Sequence, residues 1–360
     1  MEPVSVSGRI YHIDALRGVA ILMMLQGHFV DTLLIDEDRI GPLYDLWKFC
    51  RGHTAPVFFT TAGVILVYLL IRKPDKTYQK MRLKKALWRG LEVLMWGYLL
   101  RFNVLPFVLY GKVYTEFWRV DVLHCIGMGL LFIALSYQLV SRLPINFFRI
   151  LLLSISLSIF IFHPWYSALD YSELPFGIRT YLTRETGSVF TLLPFLGYLF
   201  LGAFLGSLYT LFYEKRKWAF IIGLLLVSVF LMTKSSWALT QLHELTGIEL
   251  FKRVAWNNFG FIKVGRVLLI YSTFMIAEPL LAKIKILNTL GQHTLTIYIL
   301  HFFILFGSWF GLGIDDILFD KRSLPAEFVI PGALVFVIVV CWLTLRYHKW
   351  KEAGYAFRRE

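Results

Sequence analysis

One stretch of the chain, IDALRGVAILMMLQGHFVDTLL over 13–34, carries Asp14, Arg17, His28 and Asp31 inside a run apolar enough to span a bilayer. At 100° per residue, Asp14, Arg17, Ile21, Met24, His28 and Asp31 fall on one face of a helix. Arg17 and His28 then lie about 16 Å apart along that face. Ionisable groups inside a membrane are costly and line a cavity or a pathway. The plainer reading is that Arg17 snorkels to the interface and His28 caps the helix end. The pair on one face, with an acid one turn from each, favours chemistry. An imidazole titrates near neutral pH and serves as a general base, and a guanidinium holds anions. Asp31, one turn beyond His28, is placed to hold the imidazole in one tautomer, and Asp14 stands one turn before Arg17.

Other polar residues recur at helix ends. Arg51 and His53 open RGHTAPVFFTTAG, where Pro56 suits a first helical turn. In RVDVLHCIG, Arg119, Asp121 and His124 stand together, and Asp121 and His124 share a face at three residues' spacing. An acid beside an imidazole orients a base, although a plain interfacial hydrogen bond would look the same. Arg266, with Lys263 one turn away, lies inside an apolar run, as does His301. The segment RKPDKTYQKMRLKKALWR over 72–89 is strongly basic. It reads either as a solvated loop or as a phosphate contact through Arg82, Lys84, Lys85 and Arg89. Glu92 just after it is expected to be buried and paired.

The elements that must position these residues are membrane helices. The 360 residues are 57% hydrophobic, with a mean hydropathy of +0.62. That excludes an ordinary soluble domain and predicts an all-α polytopic helical bundle. Apolar runs near 14–34, 54–71, 87–109, 121–141, 147–163, 189–212, 218–233, 259–281, 289–311 and 327–346 give about ten spans. No repeat or low-complexity tract interrupts them, so 1–360 reads as a single transmembrane domain. With both termini on one side, that side holds the larger share of the 37 Lys and Arg, which puts both termini in the cytoplasm. Residues 1–12 are then a cytoplasmic lead, and the basic tail after Arg346 lies on the inner leaflet. Arg17 falls near the cytoplasmic surface and His28 in the outer half. The first apolar run lacks a small-residue cleavage site and stays as a helix.

The net charge of +13 fits this topology and anionic lipid headgroups, and with no accompanying motif it does not signal nucleic acid. Cys50, Cys125 and Cys341 match no metal or disulfide spacing, so no metal is expected. The outer loops 164–188 and 234–258 are aromatic and polar. They read as acceptor contacts, or as interfacial segments, the second with a short interfacial helix.

Several of these segments resemble a known family. RGVAILMMLQGH, an Arg and ten residues later a His, resembles the membrane acyltransferase-3 group. IDALRG, HTAPVFFTTAG and RVDVLHCIG are more similar to the related heparan-α-glucosaminide N-acetyltransferase group and its bacterial relatives. NTLGQHTLTIYILH over 288–301 resembles a late helix shared across the superfamily. The resemblance implies an O- or N-acyltransferase. It would take acyl-CoA (acetyl-CoA) from the cytoplasm and deliver the acyl group to a hydroxyl or amine of an extracytoplasmic glycan or small polar acceptor. It implies His28 as the activating base, by the acyltransferase-3 pattern. The glucosaminide enzymes instead use an asparagine near that position and a histidine in the following loop, so the base is His28 or His53. Asp31 and Asp14 complete the catalytic set. Arg17, Arg82, Lys84, Lys85 and Arg89 are assigned to the donor. Arg51, Arg119, Asp121, His124, Arg266 and His301 are assigned to the acceptor. Membrane lipids are the other expected partners, with a homodimer allowed for, and a bacterial inner membrane the expected location.

The competing class is a transporter or lipid flippase that uses the same intramembrane Arg and His. The sequence shows no matched pair of Gly/Pro-broken helices to favour it. A non-catalytic scaffold would gain nothing from a buried polar stripe.

Overall fold

The computed structural model describes residues 9–213, 215–317 and 319–356. Residues 1–8 of the expected cytoplasmic lead and 357–360 of the basic tail lie outside them. Among the described residues the regular elements are helices, and the extended pairing is one bridge between Leu34 and Leu324. This follows from the composition, because a backbone in hydrocarbon must satisfy its own N–H and C=O groups.

Among the described residues, six helices are long and apolar enough to cross a membrane: Tyr11–Leu33, Pro42–Ile71, Thr115–Val140, Leu192–Tyr213, Phe259–Ile276 and Ala326–Ala353. Three further pairs qualify only when joined across a bend, which raises the count to nine. These are Lys76–Arg101 with Val104–Tyr110 (65°), Lys217–Thr233 with Ser235–Thr246 (69°), and Lys285–Gln292 with Thr294–Phe306 (76°). The expected count of about ten spans is met in part, by six unbroken helices and three bent pairs among the described residues. The breaks fall at Phe102–Asn103, Lys234 and His293, which are neither glycine nor proline, so no Gly/Pro signal marks them.

The basic segment is also not a loop. Its helix starts at Lys76, where the Asp75 carboxylate accepts from the Thr77 and Tyr78 amides at 3.0 Å each. This N-cap, and the long straight-chain residues after it, carry Arg82, Lys84, Lys85 and Arg89 on a continuous helix to Arg101. Glu92 is paired with Arg89 at 2.8 Å, yet its side chain is 46% exposed rather than buried.

The chain divides into two compact units. One draws on Met1–Thr54, Asn103–Leu105 and Thr273–Glu360, and the other on Ala55–Phe102 and Pro106–Ser272. In the first unit, Tyr11–Leu33 packs against Lys285–Gln292, Thr294–Phe306 and Ala326–Ala356. The approach to Lys285–Gln292 is backbone to backbone. A Cβ at Gly291 would collide with the Asp14 carbonyl, and one at Gly18 with the Leu287 carbonyl. Small residues make such contacts possible where lipid supplies no hydrophobic drive between helices. Asn288 steadies the turn before this pair by donating to the carbonyls of Leu281 (2.8 Å) and Ile284 (3.0 Å). Farther along, the Phe29 and Phe336 rings meet at 5.2 Å.

In the second unit, Lys76–Arg101 lies against Val122–Val140, and Leu192–Leu208 against Ile145–Ile161 and Val122–Val140. On the helix Thr54–Ile71, Gly63 meets the Leu199 carbonyl, and Gly202 and Gly206 meet the carbonyls of Thr60 and Val64, so Thr54–Ile71 and Leu192–Leu208 touch through their backbones.

Candidate functional site

In the first unit the polar stripe of the opening helix is covered by the late bent pair, at two levels. At the first level, Arg17 Nη2 donates to Thr294 Oγ1 at 2.6 Å. Thr294 opens its helix straight after the 76° bend. The rings of His293 and His348 stack beside it with centroids 3.5 Å apart, and Thr296 Oγ1 lies 3.1 Å from His348 Nε2. A guanidinium, two imidazoles and two hydroxyls thus gather at one end of Thr294–Phe306, a donor-rich arrangement suited to a phosphate or carboxylate. Asp14 is held by Arg9 Nε at 2.9 Å and Gln292 Nε2 at 3.2 Å, which ties the opening helix to the turn carrying His293.

At the second level, His28 stacks on His301 with centroids 5.3 Å apart and planes 27° from parallel. Phe306 stands edge-on to both, at 6.0 Å and 6.3 Å, and Tyr298 edge-on to His301 at 4.8 Å. His301 is fully buried and His28 half-buried. The result is an imidazole in an aromatic enclosure, with the geometry to take a proton from a group presented to its open side.

Asp31, expected to steer His28, is engaged by arginines. It forms an ion pair with Arg51, and Arg39 reaches its carboxylate at 3.7 Å and its carbonyl at 2.8 Å. Arg51 also lies over the Trp47 ring, 5.3 Å from its centroid, and Trp47 Nε1 donates to Gln26 Oε1 at 2.7 Å. Asp31 and Arg51 therefore clasp the helix Pro42–Arg51 to the opening helix. His53, at the end of that clasped segment, is buried, and its Nδ1 lies 2.7 Å from the Phe49 carbonyl. A carbonyl only accepts, so Nδ1 carries the proton and the lone pair stays on Nε2.

In the second unit, Asp121 caps Val122–Val140, and its carboxylate gathers the Leu123 amide (2.9 Å), His124 Nδ1 (3.0 Å) and Arg101 Nε (3.2 Å). The Asp121 amide N–H also reaches His124 Nδ1, at 3.2 Å, which completes a capping box at the start of this helix. Tyr98 stands edge-on to the His124 ring at 4.4 Å, and its hydroxyl meets that of Tyr181 at 2.7 Å. Arg119 pairs with Glu116 at 3.3 Å against the backbone of Gly187. In the basic helix Arg82 donates to the Tyr78 hydroxyl at 3.0 Å, while Lys84 and Lys85 are exposed. Arg266 is half-buried on Phe259–Ile276.

Sequence reasoning passed over Thr294, His293 and His348, although NTLGQHTLT was visible as a motif. It also missed buried His12, whose Nδ1 meets Glu278 at 2.9 Å, and the Tyr98–Tyr181 pair. The usable signal for His348 was an imidazole near the end of the last apolar run. Among the described residues, no group of three or more His, Cys, Asp or Glu side chains could hold a metal ion.

The chain matches the family described as heparan-alpha-glucosaminide N-acetyltransferase, catalytic, over residues 9–245. The matched range contains Arg17, His28, Asp31, Arg51, His53, Arg119, Asp121, His124 and the basic helix, and it ends before Arg266, His293 and His301. None of the curated proteins matches the chain. The match spans well over half of the sequence, and the apolar helices make the chain a multi-pass membrane protein. The chain belongs to the heparan-alpha-glucosaminide N-acetyltransferase catalytic family, a family of membrane acetyltransferases.

Proposed function

We propose that the protein transfers an acetyl group from cytoplasmic acetyl-CoA to an amine or hydroxyl of an extracytoplasmic glycan-like acceptor. The observation that carries this reading is the two-level cover of the opening helix: Arg17 on Thr294 at one level, His28 on His301 at the other. The donor's phosphates require a cation and hydrogen-bond donors, and Arg17 supplies the cation, with the His293 and His348 rings and the Thr294 and Thr296 hydroxyls beside it. Arg82, Lys84, Lys85 and Arg89 remain the proposed outer contacts for the donor. The pantetheine arm then runs toward His28, some 16 Å along the helix from Arg17.

His28 is the base by position, and His53 is the alternative, with its tautomer already fixed by the Phe49 carbonyl. The base takes the acceptor's proton as its lone pair attacks the thioester carbonyl. The C–S bond breaks and the CoA thiolate leaves. Such a base is worth roughly 10²–10⁴ in rate. Asp31 and Arg51 act by positioning, and Asp14 by tying the opening helix to the donor end. Arg119, Asp121, His124, Arg266 and His301 are proposed for the acceptor.

Ten spans and cytoplasmic termini belong to the same reading. The 17-residue apolar helix Ile145–Ile161 added to the nine gives ten. Arg17 then His28 meet Thr294 then His301 in the same order, so the two helices run parallel, as first and ninth spans must. The Lys and Arg bias puts the Arg17 end inside. A bacterial inner membrane suits this arrangement.

The three bent helix pairs favour one rival, transport by broken helices. Purified protein separates the two. Saturable acetyl-CoA binding with release of CoA supports acetyl transfer. Absence of acetyl-CoA and longer acyl-CoA binding in folded protein, with substrate flux in vesicles, would replace it.

A further inference from the structure

The turn after the membrane helix Thr54–Ile71 gathers three cations around one phenol. Arg72 Nε donates to the Tyr78 hydroxyl oxygen at 2.9 Å, and Arg82 Nε donates to the same oxygen at 3.0 Å. The Arg72 and Arg82 guanidinium carbons lie 6.0 Å and 5.3 Å from the centroid of the Tyr78 ring, and Lys73 Nζ lies 5.5 Å from it. The cluster is built on held elements. The Asp75 carboxylate is taken by the Thr77 and Tyr78 amides, so the helix carrying Tyr78 and Arg82 starts at a fixed point. Gln79 Nε2 donates to the Lys73 carbonyl at 3.1 Å, and Gln79 Oε1 accepts from the Tyr137 hydroxyl at 2.9 Å, which pins the turn to Val122–Val140.

This cluster has charge and donors to spare. Among the described residues neither Arg72 nor Arg82 forms an ion pair with a carboxylate, and their Nη groups and the Tyr78 O–H have no acceptor. Tyr78, Arg72 and Arg82 are half-buried, so a ligand can reach them. Like charges held together repel, and an anion placed between them removes that cost. Two guanidinium forks and a phenol O–H are a donor set for phosphate oxygens. Three cations exceed the single charge of a phosphodiester and come closer to matching a phosphomonoester, which carries about −1.5 to −2 at pH 7. The depth of the cluster points to a lipid. Arg72 directly follows the last residue of a membrane span, the level of the headgroups. Met81 and Trp88, seven residues apart on one face of the basic helix, are both exposed, and an apolar face with a Trp beside a basic cluster belongs against the membrane.

We propose that Arg72, Arg82 and the Tyr78 hydroxyl, with Lys73 beside them, bind the phosphomonoester headgroup of an anionic membrane lipid. The site does not depend on the acetyl-transfer reading. It draws Arg82 to a lipid and leaves Lys84, Lys85 and Arg89 as the donor's outer contacts. Full-length protein in detergent is titrated with short-chain phosphatidic acid, a phosphomonoester, with phosphatidylglycerol, a phosphodiester, and with phosphatidylcholine, which has no net charge. Inorganic phosphate and acetyl-CoA are added as competitors. Phosphatidic acid binds saturably and more tightly than phosphatidylglycerol, and phosphatidylcholine does not saturate. Arg72→Gln weakens phosphatidic acid about tenfold and removes its lead over phosphatidylglycerol. Arg72→Lys recovers part of the loss, since an ammonium keeps the charge but not the fork. Tyr78→Phe weakens binding about threefold. Lys80→Gln, at an exposed lysine of the same helix outside the cluster, changes it less than about twofold. Equal affinity for the two anionic lipids, or a loss in Arg72→Gln no larger than in Lys80→Gln, would overturn the proposal. Displacement of the lipid by an equal concentration of inorganic phosphate assigns the cluster to a soluble phosphate, and Arg72-dependent displacement by acetyl-CoA assigns it to the donor; either result overturns the lipid. If Arg72→Gln does not fold, Arg72→Lys and Tyr78→Phe decide on the same readout. If wild type binds no acyl-CoA, the acetyl-transfer reading fails by itself, and the order of lipid affinities still decides this site.

Discussion

Truncation of His28 separates the base from the donor site. His28→Ala removes one imidazole from a stacked pair whose centroids are 5.3 Å apart, inside an enclosure formed with Phe306. Two costs follow, and they read out differently. The lost ring contacts are worth about 0.5–1.5 kcal/mol for an aromatic pair, a drop of a few degrees in melting temperature for a protein of this size. The lost base is worth roughly 10²–10⁴ in kcat, or about 2.7–5.5 kcal/mol of barrier. Donor affinity stays the same, because Arg17 and Thr294 lie about three turns away and their 2.6 Å bond does not involve His28. His28→Phe keeps an aromatic ring in the stack but loses the base, so it restores stability and not activity. The assay is single-turnover CoA release with saturating glucosamine, alongside acetyl-CoA titration and a melting curve for each variant. A kcat within threefold of wild type in both folded variants refutes the assignment of His28. If His53→Ala then shows the loss, His53 is the base.

Arg17→Ala weakens acetyl-CoA binding about 10–100-fold, the worth of a charge-assisted contact of about 1.5–3 kcal/mol, and Arg17→Lys recovers only part of it; equilibrium titration measures both. Asp31→Asn or Arg51→Ala unclasps the helix Pro42–Arg51. Each then speeds limited proteolysis near Gly41, and the double variant adds little to either single one, as a double-mutant cycle would record. Asp315 has a folded pKa raised above its unfolded value, so its contribution to stability is fully present below the usual carboxylate range and is lost as pH rises through the raised pKa. Melting curves across that window should therefore show Asp315→Asn gaining on wild type as pH rises. Gly291→Val forces the opening helix off Lys285–Gln292 and weakens the Arg17–Thr294 bond. It costs about 1–3 kcal/mol and weakens acetyl-CoA binding, read by melting and titration.

Much of the site was legible at the level of single residues. Arg17, His28 and Asp31 stand out because an ionisable group in an apolar run is expensive wherever it is placed. The Asp121–His124 pairing was readable from its spacing, since residues three apart on a helix meet, and the two are bonded at 3.0 Å. Asp31 shows where such reading ends. Its closeness in sequence to His28 suggested a carboxylate–imidazole pair, and what the fold adds is Arg51 and Arg39 on its carboxylate. A guanidinium on a following segment offers that carboxylate a charge-assisted hydrogen bond that spacing along one helix does not reveal. The basic run shows the same limit for secondary structure. Its charge suggested a loop, but Lys, Arg, Gln, Met and Leu are good helix formers, and Asp75 caps them.

Asp14, Arg17, His28 and Asp31 recur at the helical period inside an apolar run, so the sequence by itself determined that the chain is helical, that it enters the membrane, and that its first helix must turn a polar face inward. Only the tertiary structure decided what meets that face. Thr294 lies 277 residues from Arg17, and nothing local links the two. In a membrane every helix is apolar, so hydrophobicity cannot select which helices pair. The selection falls to backbone contacts such as Gly291 on Asp14 and to hydrogen bonds between buried polar groups, and those exist only once the helices have packed.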